Sequence, residues 1–347
     1  MIVKRASYKT QKLNGQVQLR GKKIAVENWS VEIPAHDETD TFRLKVPWDV
    51  GGDGVLASND KVNTFLIAEK DVPCKINLNN RELISGLVDE PNWSFGLSED
   101  SIEISGSGRI GRMVERELIR NVKNRTASSV AGEIFKHHKI NAIIKGTSVK
   151  IGAYSADSQS SDTEMNDWQL LHWLAEWEGY VVRVVGNTGY FGPPEELPEL
   201  KKKPIKLTYG HNCEIQSLGK RKSGIRDLII EGRSYHNKRT VVEYYPRKPK
   251  KENETGIIKR YYLTGLSPEQ LRKRIKAIYG QFTKYDLVGR LIIPEYLEVL
   301  PDRKIELGGL GKDLSGIYYT TKVIYTEDIE SITTEIEISN KLLEVSP

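Results

Sequence analysis

The alternation of apolar and polar residues in KINLNNRELISGLV (75–88) returns late in the chain in KIELGGLGKDLSGIYY (304–319). A period of two places every second side chain on one face of a sheet, so each stretch reads as strands burying a single face. SIEISGSGR (101–109) is echoed in the same manner by DLIIEGRS (227–234) and by ITTEIEIS (332–339). A pattern carried twice predicts two copies of one β-unit, with the material between them built separately. The length of 347 residues is ample for two or three domains.

The first unit is expected over 1–110 as a small antiparallel barrel or sandwich. KKIAVENWSVEIP, DTFRLKVPW and NTFLIAEK alternate and are broken by Gly, Asn, Asp and Pro. After Gly111 the period changes. RTASSVAGEIFKHHKI offers Thr126 as a helix N-cap, and a polar loop, SADSQSSDTEMND, leads into DWQLLHWLAEWEGYVVRVVGNTGYFGP (167–193). There Asn166 and Gln169 form a capping-box pair and Gly179 supplies the left-handed exit. Trp168, Leu170, Leu171, Trp173, Leu174, Ala175 and Trp177 cover most of the helix circumference, leaving a polar stripe of Gln169, His172 and Glu176. Such a helix, 167–178, is covered on more than one side, and a strand, turn and strand follow it. An α/β domain is therefore expected over 111–200, closed by the proline-rich hinge GPPEELPELKKKP.

Strands return over 201–235 and 291–347 as the second β-unit, interrupted by an insertion over 236–290. That segment holds fourteen Lys and Arg against five Asp and Glu, whereas the whole chain carries a net charge of only +5. Its one clear helix, 268–279, has Ser267 as N-cap, Pro268 at the first position and Gly280 at its end. Arg247, Lys248, Lys250, Lys251, Arg272, Lys273, Arg274 and Lys276 are the candidate docking residues, for an acidic protein partner or, with the neighbouring tyrosines, for nucleic acid. The fold class expected is α+β, mostly β.

Catalytic, cofactor and metal motifs are not expected. GSGRIG (Gly106, Gly108, Gly111) is formally a dinucleotide fingerprint, but antiparallel-type strands precede it and no acid follows on a second strand. The six histidines show no HExxH spacing, and neither a GxSxG elbow nor a P-loop is present. Glu176 and Glu178 read as a solvated pair rather than as an acid–base dyad. Cys74 and Cys213 lie outside any CxxC and read as buried free thiols. No apolar run nears the roughly 18 residues a spanning helix needs, and MIVKRASYKTQKLNG lacks a signal peptide's apolar stretch, so no membrane anchor is expected.

The Ser/Asp-rich loop followed by DWQLLHWLAEWEGYVVRVVGNTGYFGP resembles the central signature of the phage late control D family, the baseplate hub proteins of contractile-tailed bacteriophages. ISGSGRIGRMVERELI (104–119) resembles the point where that family leaves its first β-domain, and SGIYYTTKVIYTEDIESITTEIEIS (315–339) its closing strands. The resemblance implies a non-enzymatic homotrimer with two tube-like β-domains per chain, joining a hexameric tail tube to a trimeric central spike. It implies as partners the tail tube protein, the spike protein, other baseplate proteins and, as a further candidate, the tape measure protein. Its location would be the baseplate of a virion or tail-like particle, assembled in the bacterial cytoplasm. Trp168, Leu171, Trp173, Leu174, Trp177, Gly179 and Tyr180 would then be structural core. Two other readings stay open: a tail-associated protein that binds or cleaves cell wall, and a nucleic-acid-binding protein using the basic segment.

Overall fold

The computed structural model describes residues 15–35, 38–47, 66–95, 100–114, 124–148, 150–151, 165–220, 228–236, 239–249, 257–263, 265–282, 287–328 and 331–342. The first unit comprises β1 (Gly15–Leu19), β2 (Lys22–Ile24), β3 (Asn28–Pro34), β4 (Thr41–Pro47), β5 (Pro73–Leu78), β6 (Arg81–Phe95) and β7 (Asp100–Gly108). The α/β unit follows with α1 (Arg109–Val114), α2 (Ala127–His137), β8 (Asn141–Ile144), α3 (Asp167–Glu178), β9 (Val181–Val185) and β10 (Thr188–Gly192). Next come β11 (Ile205–Thr208) and β12 (Glu214–Lys220), then β13 (Ile229–His236), β14 (Arg239–Tyr245), β15 (Ile258–Tyr262) and α4 (Pro268–Phe282). The chain ends with β16 (Leu287–Ile293), β17 (Lys304–Gly308), α5 (Gly311–Leu314), β18 (Gly316–Glu327) and β19 (Ile332–Ser339). The protein is α+β and mostly β, as its alternation predicts.

The two β-units have the same strand order. In the first, the pairing path is β1-β5-β6-β7-β4-β3; in the second it is β11-β17-β18-β19-β16-β12. With β2, an added strand on the outer side of β1, set aside and the remaining six numbered by position along each unit, both read 1-4-5-6-3-2. Every pair is antiparallel in both, except that β11 runs parallel to β17 where β1 runs antiparallel to β5. A bulge falls at the same place in each long strand, between Val88 and Glu90 against β7 and between Thr320 and Lys322 against β19. Across the first unit the ladder aligns Ser30, Arg43, Ser105 and Glu90; across the second it aligns Ser217, Arg290, Glu337 and Lys322. The units are fused edge to edge through β3 and β18, so all their strands form one 13-stranded sheet over one apolar core.

The α/β unit is a three-stranded sheet in the order β8-β10-β9, with β10 parallel to β8 and antiparallel to β9. Helices α2 and α3 contribute Val130, Ile134, Phe135, Leu171 and Leu174 to its core. The expected caps are present: Thr126 accepts from the Ser129 N–H, and the Asn166–Gln169 box is complete, with bonds of 2.8 and 3.2 Å.

Several sequence expectations need correction. Ile229–His236 does not belong to the second β-unit; it is the middle strand of a separate sheet, β14-β13-β15, under α4. Ile229, Ile230, Glu231 and Gly232 are all buried, because β13 is covered on both faces. Gly232 is required there: a Cβ would stand 2.5 Å from Ile275 Cγ2 on α4. The inserted unit therefore begins before 229, and the second β-unit resumes at Leu287 rather than at 291. Helix α4 runs through Gly280 to Phe282, because Tyr279 and Phe282 still pack on the insertion's core. Leu66–Ala68, expected as strand, is helical, with Leu66 buried and Ile67 70% exposed. The echo of Lys75 with Lys304 is out of register by two: the ladders superpose Lys75 on Glu306.

Candidate functional site

The chemistry of this chain is concentrated where its units meet. At the joint between the β-units, six residues of β18 pair with β3, from Lys322 opposite Pro34 to Glu327 opposite Trp29. Trp29 is fully buried and its indole N–H donates to the Glu327 carboxylate, which also accepts from the Gly15 backbone. Burial nevertheless holds the Glu327 carboxyl above its usual range. On the opposite face Lys322 Nζ binds Glu32 Oε1 at 2.5 Å and reaches Glu38. The joint thus has a ladder of backbone hydrogen bonds, an indole–carboxylate bond and an ion pair.

A second joint ties the α/β unit to the sheet. Arg183 on β9 donates from Nη1 to the Pro301 carbonyl at 2.8 Å and to Asp302 Oδ2 at 2.5 Å, with side-chain exposures of only 8% and 1%. Asp40, buried in the turn before β4, is pushed up to about 7 by desolvation, against the opposing pull of Arg183 and the Gly186 backbone. Arg183 also lines a cavity of about 350 Å³, together with Arg81, Glu82, Asn187, Glu199 and Tyr325 among others.

The tryptophan helix forms the third joint. Trp168, Leu171 and Leu174 are buried, while Trp173, Trp177 and Tyr180 are half-buried against the α/β core. Trp177 also packs against the insertion's core, so it belongs to two units at once. Gly179 adopts φ 64°, and a Cβ there would meet Lys273 Cε at 3.1 Å. The expectation that Glu176 and Glu178 are a solvated pair fails. Glu178 is buried, and Glu176 binds Arg274, whose Nη1 also donates to the Glu176 carbonyl at 2.9 Å and whose guanidinium lies over the Trp177 ring. Desolvation lowers the Arg274 pKa, with Glu176 opposing.

This arrangement divides the expected docking residues. Arg274 is half-buried against Glu176 and Trp177, whereas Lys273 is exposed, its Nζ 5.3 Å from the Tyr180 ring centroid. Lys248, Arg272 and Lys276 are exposed, and Arg247 is half-buried. Lys250 and Lys251 lie outside the described residues. In the first unit, GSGRIG closes an antiparallel strand. A Cβ on Gly106 would collide with the Leu87 carbonyl and the Phe42 ring, both at 2.2 Å, so that glycine serves close strand approach rather than a phosphate.

One cluster escaped sequence reasoning. His138, just past α2, bonds through Nε2 to Asp167 Oδ2 at 2.8 Å, and His137 stands edge-on to His138 with centroids 5.0 Å apart. Ligand atoms of these three residues lie within 4.8 Å of one another, the only such group among the described residues. Asp167 is 1% exposed, so the bond acts as a clasp between the end of α2 and the start of α3. Cys74 and Cys213 are buried free thiols, with burial pushing Cys213 up to about 11.

Three solved structures share this fold along nearly the full chain. A tail protein from Neisseria meningitidis MC58 superposes with a TM-score of 0.67 at 12% identity, covering 96% of this chain and 98% of its own. The 43 kDa tail protein of prophage MuSo2 from Shewanella oneidensis gives 0.63 at 13%, covering 93% and 95%. An E. coli component of the type VI secretion system, similar in structure to the T4 bacteriophage tail proteins gp27 and gp5, gives 0.56 at 8%, covering 95% and 79%. No family model and no curated protein matches the sequence. The chain has the fold of phage tail proteins.

Proposed function

We propose that this chain is a structural hub of a contractile phage tail or tail-like particle, joining the hexameric tail tube to the trimeric central spike. The observation that carries this reading is the repeated strand order: three chains present six quasi-equivalent β-units to a sixfold ring, while everything else stays threefold. The fold shared with prophage tail proteins and with a type VI secretion component supports it, and so does the phage late control D signature around Trp168–Tyr180. The hub acts as a homotrimer, with the tube protein on one side and the spike on the other. Other baseplate proteins and the tape measure protein are its further neighbours. The exposed cations Lys248, Arg272 and Lys276 form a docking face for an acidic neighbour in the baseplate.

The role is architectural and involves no catalysis. The joints described above are built from buried pairs and aromatic packing, which hold units in fixed relation. Imaging a native particle tests the proposal. Three copies of this chain at the junction of tube and spike are expected; a different copy number, or a position away from that junction, refutes it.

A further inference from the structure

The contact between the end of α2 and the start of α3 brings together more than the hydrogen bond that closes it. His137 is the last residue of α2 and is exposed; His138 follows at the cap and is half-buried; Asp167 opens α3 and is 1% exposed. Each of the three offers one ligand atom, and these atoms lie within 4.8 Å of one another. The helices are held together independently of these side chains, because Val130, Ile134 and Phe135 of α2 share one apolar core with Leu170, Leu171 and Leu174 of α3. Lys139, at φ 56°, turns the chain away directly after the histidines, its N–H donating to the Lys136 carbonyl at 3.1 Å. The backbone that carries the donors is therefore fixed by packing before any ligand arrives.

We propose that His137, His138 and Asp167 form a binding site for one divalent cation of the zinc class. Two imidazole nitrogens and one carboxylate oxygen are a donor set that suits Zn²⁺, Co²⁺ and Ni²⁺, whereas Mg²⁺ and Ca²⁺ take oxygen ligands. The distances agree with such an ion. Metal–nitrogen bonds of about 2.0 to 2.1 Å put two imidazole centroids on a tetrahedral ion roughly 5 Å apart. Those of His137 and His138 are 5.0 Å apart, with the ring planes at 87°. The same bonds put a nitrogen and a carboxylate oxygen about 3.3 Å apart. His138 Nε2 and Asp167 Oδ2 stand at 2.8 Å, so an ion entering between them widens the gap by about half an ångström. The ion takes the place of the proton in that hydrogen bond, and one proton is released to solvent.

Local charge favours a cation at this point. The negative end of the α2 dipole and the buried Asp167 carboxylate both attract it. The neighbouring positive charges, Lys136 and Lys139, are exposed and therefore screened by solvent. Three protein donors leave the fourth position of a tetrahedral ion to water, reached from the side of exposed His137. Coordination ties together two helix ends separated by 29 residues in sequence, and it stabilises the α/β unit because the unfolded chain does not hold the three donors together. The same separation explains why no sequence motif announces the site.

Zinc titration of the full chain, untagged and stripped with a chelator, tests the site. Calorimetry should show one Zn²⁺ bound per chain, displaced by Co²⁺ or Ni²⁺ and not by millimolar Mg²⁺ or Ca²⁺. Zinc at a hundredfold excess over its dissociation constant should raise the melting temperature by roughly 3 to 6 °C, and the chelator should reverse the rise. His137→Ala leaves the bond between His138 and Asp167 in place, so it should keep the zinc-free melting temperature while weakening zinc binding at least about tenfold. Asp167→Asn retains an amide oxygen that accepts from His138 and removes the anionic donor, and should weaken binding by as much. Absence of saturable binding at millimolar Zn²⁺ overturns the proposal. Saturable binding that survives both substitutions puts the ion on other side chains and overturns it equally. The site lies in the α/β unit, so either outcome leaves the hub reading, which rests on the β-units, untouched.

Discussion

Asp302→Asn tests whether the joint under the α/β unit depends on charge. Asp302 sits at φ 66°, in the left-handed region that asparagine also enters readily, so the substitution removes the charge while keeping shape and backbone. Arg183 then remains buried opposite a neutral amide, still bound to the Pro301 carbonyl but without its counter-ion. Exposures of 8% and 1% leave little room for solvent screening. Breaking a buried pair by removing one partner costs about 3 to 5 kcal/mol, because the surviving charge is uncompensated. The expected result is a loss of that size in urea unfolding followed by tryptophan fluorescence. Arg183→Met combined with Asp302→Asn should recover most of it, since no stranded charge remains. A single variant within about 1 kcal/mol of the parent would refute the reasoning and would mean that water in the adjoining cavity solvates the guanidinium.

Three further outcomes follow from the joints. Trp177→Ala should cost about 2 to 4 kcal/mol, below the full value for a buried aromatic because the ring is half-exposed, and should speed proteolysis of the insertion relative to the β-units. Asp40 has a folded value of about 7 against 3.8 for the free side chain, so the native state holds a proton that the unfolded chain releases. Stability is then fully present below pH ~4 and falls as the pH rises to about 7, by up to about 4 kcal/mol. Asp40→Asn should flatten urea midpoints measured across that window. Charge reversal at Lys248, Arg272 and Lys276 should abolish a salt-sensitive association with the baseplate, read by co-assembly at low and high ionic strength; unchanged assembly at every ionic strength would leave these cations merely solvated.

The repeat was legible in the sequence because alternation reports which face a residue occupies. Alternation cannot report register, since a slip of two residues preserves every face. Lys75 and Lys304 look alike in sequence for that reason, although the ladders superpose Lys75 on Glu306. Helix ends were legible at Thr126, Asn166 and Ser267, where caps act within three residues of themselves. Gly280 misled because packing of Phe282 outweighs a glycine's weak preference to stop a helix. Strand β13 was misplaced because Ile229 and Ile230 fit the edge of an alternating run as well as they fit a strand covered on both faces. Pairs far apart in sequence left no local signal: Arg274 with Glu176, Arg183 with Asp302, and His138 with Asp167 became partners only through the fold.

The position of the insertion explains how one chain keeps two equivalent β-units while carrying a further unit. Lys220 and Leu287 are register partners at the end of the β12–β16 hairpin, so the inserted segment leaves and re-enters the sheet at adjacent points. In the first unit the corresponding strands, β3 and β4, are only six residues apart in the sequence. Enlarging a hairpin tip changes the loop-closure cost only logarithmically and leaves every ladder bond in place. The tip is also where an added unit interferes least with the strand edges. The insertion is not left to swing there: Arg274, Lys273 and the insertion's core engage Glu176, Tyr180 and Trp177, tying it to the α/β unit that enters the chain between β7 and β11. Both non-repeated units are thereby clamped to each other, and the tryptophan helix is their shared wall. The repeated units keep matching strand orders and remain joined edge to edge through β3 and β18.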